Sequence, residues 1–103
     1  VMVLGHTHCG AVKGACDGVK LGNLTALLSE IQPAVDAVTG FQDSDRNSKN
    51  TQFVQRVIEK NVHKTVADIR DRSPILADLE ASGQIKIVGA LYDLHTGRVR
   101  LLD

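Results

Sequence analysis

The chain has 103 residues, a length that holds one domain with a single modest core. Its 12 basic and 12 acidic side chains cancel, and Phe41, Phe53 and Tyr92 are the only aromatics, which excludes a basic nucleic-acid footprint and a base-stacking platform. No apolar run approaches the roughly 20 residues of a membrane span, and the opening residues do not read as a signal peptide, so a soluble domain over 1–103 is expected, with the cytoplasm as its compartment.

The first element is the run VMVL, a continuous apolar stretch that reads as a buried strand ending at Gly5. It begins at Val1, already strand-like, and a chain cut from a longer parent is the expectation. The small-residue stretch CGAVKGACDG follows and has room for one or two helical turns closed by Asp17 and Gly18. Next, Leu24, Leu27, Leu28, Ile31, Val35 and Val38 recur at helical spacing behind Asn23, an N-cap residue type. Pro33 interrupts that pattern by removing a hydrogen-bond donor, so either one bent helix or two helices meeting near Gln32 is expected.

Residues 39–50 are the most polar stretch and read as a loop or a helix start. A long helix is predicted over 51–71, with Phe53, Val54, Val57, Ile58, Val62, Val66 and Ile69 in one stripe. Asn61, near that stripe, is the polar residue expected to be buried, and His63 lies on the charged side. Ser73 as N-cap, Pro74 at the first helical position and Gly83 past the end bound another helix. The last segment, from Ile85, reads as a buried strand, a turn through His95, Thr96 and Gly97, and a return strand. The order is strand, helices, strand, strand. It predicts an α/β fold with a partial, mostly parallel sheet of about three strands, one antiparallel edge strand, and flanking helices.

Cys9 and Cys16 do not make a disulfide framework. On a helix they stand about 10.5 Å apart along the axis, whereas a disulfide needs Cα atoms within roughly 7 Å. Free or metal-bound thiols are expected. The chemically pointed stretch is LGHTHCGAVKGA, where His6, His8 and Cys9 are candidate metal donors. It lies at the carboxyl end of a strand running into a helix, where open α/β sheets carry their ligands. Zinc accepts imidazole nitrogen at about 2.0–2.1 Å and thiolate sulfur at about 2.3 Å. A helix start beside Cys9 favours thiolate. Gly5 and Gly10 let the backbone turn tightly and approach a bound group, which marks Gly10 as active-site backbone. His-x-x-Cys alone supplies half a zinc shell. His8 is read as solvent-facing, Cys16 as a small buried residue, and Lys13 as surface.

The run VLGHTHCGAVKGA resembles the second zinc-ligand motif of the β-class carbonic anhydrases, and the resemblance continues through NLTALLSEIQPAV, NVHKTVADIRDRSPIL and SGQIKIVGALYDLHTGRVRLL. It implies that His6 and Cys9 are zinc ligands, that the substrates are carbon dioxide and bicarbonate, and that the protein is a homodimer or higher oligomer. It also implies a third ligand and an Asp–Arg pair from a Cys-x-Asp-x-Arg motif one strand earlier. No such motif stands in this sequence. The loop run of Asp43, Ser44, Asp45 and Arg46 has no cysteine and is not assigned the role. The pair is expected upstream of Val1, which leaves the zinc ligand set incomplete. The resemblance therefore implies the C-terminal portion of a zinc lyase, weakly active or inactive by itself. The alternative is a carbonic-anhydrase-like interaction or regulatory module, for example fused to a transporter.

Overall fold

Val3 and Gly5 point to one side of the first strand, β1 (Met2–His6), while Met2, Leu4 and His6 point to the other. The computed structural model describes residues 1–102. Within them β1 pairs in parallel with β2 (Val88–Tyr92), which pairs antiparallel with β3 (Val99–Leu102). The α/β sheet with an antiparallel edge strand is as the sequence pattern predicts.

Between β1 and β2 run α1 (Gly10–Cys16), α2 (Leu24–Ser29), α3 (Gln32–Ala37), a 3₁₀ turn at Asp43–Asp45, α4 (Thr51–Arg72) and α5 (Pro74–Ala81). Pro33 does divide the second helical stretch: α3 starts afresh with Pro33 in its first turn, where a missing N–H costs nothing. Asn23 occupies the N-cap position of α2, but its backbone is already helical and its side chain makes no capping bond. The caps that do form are Asn50, which accepts from the Phe53 N–H of α4, and Ser73, which accepts from the Leu76 N–H of α5. Gly83, at φ +80°, supplies the left-handed residue that ends the α5 segment. The last strand pair begins later than predicted, since Ile85–Ile87 lie outside the ladder.

Helix α4 is the centre of the molecule. Its buried stripe, Phe53, Val54, Val57, Ile58, Val62 and Val66, faces the sheet on one side and α1 and α3 on the other. Each such side chain removed from water contributes about 1.5–3 kcal/mol. Asn61 is only half-buried, and no polar residue is fully buried among the described residues. Arg70, near the end of α4, grips both Glu80 carboxylate oxygens at 2.7 and 2.9 Å and also donates to the Ile87 carbonyl. That clamp ties α4, α5 and the entry to β2 together. No helix among the described residues is long and apolar enough to cross a membrane.

The sheet has one covered face. Gly5 and Gly89, on adjacent strands, both lie beneath α4, and a Cβ built on either would stand 2.7 Å from a Val62 methyl. The opposite face carries Met2, Leu4, Val99 and Leu101, each at least half exposed, and it also carries His6. Gly89→Ala is expected to lower unfolding stability by about 1–3 kcal/mol through overpacking. In the Val62→Ala background the cost should shrink by at least about 0.5 kcal/mol, measured by urea unfolding of the four-member mutant cycle. An unchanged urea midpoint in Gly89→Ala would contradict the close approach.

Candidate metal centre

His6 is the last residue of β1 and Cys9 the N-cap residue of α1, so the strand-to-helix turn holds both at its two ends. The site sits at the carboxyl end of a parallel strand, where side chains and backbone groups are free to meet a ligand. His6 is exposed and Cys9 half-buried. The His6 ring contacts the Thr7 carbonyl through Nδ1 at 3.0 Å. A carbonyl only accepts, so Nδ1 carries a proton, and in the neutral ring Nε2 is the nitrogen left with a lone pair. That is the tautomer of a histidine that ligates through Nε2, with its other nitrogen held by a carbonyl. An imidazole with a fixed tautomer and a thiol on the next turn are zinc-type donors, and on that ground the residues present fit the metal. Among the described residues, no group of three or more His, Cys, Asp or Glu side chains comes together to complete a cage.

The turn is pinned from the neighbouring strand. Thr7 donates its N–H to the Tyr92 carbonyl at 3.0 Å and accepts the Leu94 N–H on Oγ1 at 3.1 Å. His8 takes up φ +55°, a left-handed conformation that histidine adopts more readily than most residues. It is exposed, as expected, but it has a partner: its Nε2 lies 3.1 Å from Nε2 of His95. The spacing of 87 residues hid that pairing, which only the parallel register of β1 with β2 creates.

Gly10 begins α1 in open space, with nothing within 4 Å of an added Cβ. Its neighbourhood leaves room for a bound group but does not itself require glycine. Gly5 serves helix packing rather than the turn. A cleft of about 100 Å³ adjoins the turn, lined by Thr7, His8, Lys13, Ser48, Thr51, Val54, Gln55 and Ile58. Lys13 is half-buried at its edge rather than a free surface lysine.

Arg46, in the polar loop, has a structural use that sequence pattern did not announce. Its guanidinium donates to the Val38 carbonyl at 2.6 Å and the Val35 carbonyl at 2.8 Å, closing the carboxyl end of α3. It also lies 4.8 Å from the centre of the Phe53 ring. Asp17, which caps α1, accepts from both the Ser48 hydroxyl and its N–H, and those bonds hold its carboxyl below the usual range. Cys16 stands between these groups as a free thiol. Burial first, and the Asp17 charge second, push its pKa up to about 11. It has the marks of an inert packing cysteine.

The family model described as carbonic anhydrase matches residues 1–99. The chain is 34% identical over 108 residues to carbonic anhydrase 2 of Mycobacterium tuberculosis, covering 100% of this chain and 48% of that protein. It is 33% identical over 101 residues to a carbonic anhydrase of Mycolicibacterium smegmatis, covering 98% of this chain and 48% of that protein. The chain thus spans about half the length of the curated relatives it matches. Among solved structures, the β-carbonic anhydrase CafA of Aspergillus fumigatus superposes with a TM-score of 0.77 at 24% identity, covering 100% of this chain and 48% of that one. One of two tetrameric β-carbonic anhydrases from Sordaria macrospora gives a TM-score of 0.76 at 21% identity, over 98% of this chain and 50% of that one.

The raised Cys16 pKa has a direct readout. At pH 8 only about one Cys16 in a thousand is thiolate, so alkylation by iodoacetamide should run at least about tenfold slower than for a small free thiol. Peptide mapping of the labelled chain measures it, and labelling of Cys16 at the free-thiol rate would contradict the burial argument.

Proposed function

This chain belongs to the β-class carbonic anhydrase family, and from that premise we propose that it carries the His6–Cys9 half of a zinc site for the reversible hydration of carbon dioxide to bicarbonate. The observation that carries the proposal is the strand-to-helix turn itself: His6 presents Nε2 with its proton held on Nδ1, and Cys9 stands at the start of the following helix. When bound, zinc supplies the Lewis acidity that makes water nucleophilic near neutral pH. The protein's part is to hold the imidazole in one tautomer, to keep Cys9 beside it, and to fix the turn against β2 through Thr7. Gly10 leaves space next to the pair.

Two donors do not fill a tetrahedral shell, and the sequence contains no Cys-x-Asp-x-Arg to add a third donor with its Asp–Arg partner. Taken alone, the 103-residue chain is therefore weakly active or inactive. The matched relatives are named as carbonic anhydrases, which supports an enzyme over an interaction module. Self-association belongs to the same reading. The uncovered apolar sheet face, with Met2, Leu4, Val99 and Leu101, favours a second copy as its cover, and the tetrameric assembly named for the Sordaria proteins supports this.

Two measurements on the chain as it stands check the reading. Elemental analysis after zinc loading is expected to find about one zinc per chain fewer in His6→Ala and in Cys9→Ser than in the unmodified chain. Stopped-flow hydration of carbon dioxide is expected to stay near the uncatalysed rate. Zinc content unchanged in both variants, or a normal carbonic anhydrase turnover, would contradict it.

A further inference from the structure

Beside the His6–Cys9 pair, and separate from it in donors, two imidazoles face one another. His8 Nε2 and His95 Nε2 stand 3.1 Å apart, with ring centres 4.9 Å apart and ring planes at 79°. As a hydrogen bond, this contact needs a proton on one nitrogen and a lone pair on the other. The separation is also that of two ligands on one ion. Nitrogens about 2.0–2.1 Å from a common metal lie about 2.9 Å apart at a right angle and about 3.3–3.4 Å apart at the tetrahedral angle. We propose that His8 and His95 form a second divalent-metal site, a two-imidazole chelate completed by water, that takes nitrogen-preferring ions such as Ni²⁺.

The backbone that carries each imidazole is already tied down. His8 sits on the turn that Thr7 ties to Tyr92 and Leu94. His95 sits on the β2–β3 turn, where the Asp93 carboxylate accepts the His95 N–H at 2.8 Å and the Thr96 N–H at 3.3 Å. Little backbone freedom remains to be lost on binding, so the ion does not have to order the loops. The Asp93 carboxylate also sets a negative charge next to the pair, which favours a cation there. Imidazole nitrogen suits nickel, copper and zinc, and the ordering of divalent metals puts nickel above cobalt and iron at such a site. A metal here joins residues 87 positions apart and locks the ends of β1 and β2 together.

The inference stands on its own donors, and its test removes the other pair. Isothermal titration with Ni²⁺ is run on the chain carrying His6→Ala and Cys9→Ser. One Ni²⁺ per chain is expected to bind, and adding either His95→Gln or His8→Asn should weaken it at least tenfold. Glutamine at 95 keeps a hydrogen-bonding group on an exposed turn, and asparagine tolerates the left-handed backbone at position 8, so neither change threatens folding. Failure of the His6/Cys9 variant to bind Ni²⁺, or undiminished binding in both added variants, would overturn the second site. Neither result bears on whether His6 and Cys9 hold zinc.

Discussion

The close seating of α4 on the sheet is the constraint from which the rest of this structure follows. Val62 lies over two glycines on adjacent strands, and at neither is there room for even one added carbon. With two side chains removed from the sheet surface, the helix descends far enough for Phe53, Val57, Ile58 and Val66 to be buried by the sheet and by α1 and α3. Packing at that density tolerates little change in volume. It also fixes β1 in rotation. With Gly5 committed to the helix side, its neighbour His6 must emerge on the opposite face, at the end of the strand where the chain turns into α1.

From that anchored strand end, the turn is held by hydrogen bonds rather than by side-chain bulk. Thr7 spends its N–H and its hydroxyl on β2 and the turn beyond it. The parallel pairing of β1 with β2 therefore does two things at once: it extends the sheet and it brings the His95 turn beside the His6–Cys9 turn. Three imidazoles and a thiol gather near one sheet end, yet no three of them form a cage among the described residues. The His6–Cys9 pair stands at that sheet end beside an uncovered apolar face. The polar loop contributes differently, because Arg46 is occupied with the α3 carbonyls and Phe53 and serves the fold rather than the chemistry.

Much of this was legible from residue order. The 3.6-residue stripe of the long helix, the Ser73–Pro74 start and Gly83 stop, and the strand-turn-strand ending all depend on local spacing, and local spacing is what a sequence displays. The His-x-x-Cys pair was visible for the same reason, since its donors lie within one turn of chain. What remained hidden was non-local. The role of Gly5 looked like turn flexibility and is helix clearance, because Val62 is far away in sequence. His8 looked like an idle exposed residue and meets His95 only through strand register. Asn23 had the right type for a cap but a backbone that was already helical, so residue preference alone gave the position and not the bond. Asn61 followed its stripe only halfway into the core, at the edge of an open groove between α2, α4 and α5.

We propose that one imidazole and one thiolate from this turn hold zinc together. Zinc K-edge absorption spectroscopy on the zinc-loaded chain addresses it most directly, because sulfur and nitrogen scatter at separable distances. The expected result is a mixed shell, with sulfur at about 2.3 Å and nitrogen at about 2.0–2.1 Å, and loss of the sulfur shell in Cys9→Ser but not in Cys16→Ser. A shell of nitrogen and oxygen alone in the unmodified chain, or a sulfur shell that disappears with Cys16, would contradict it.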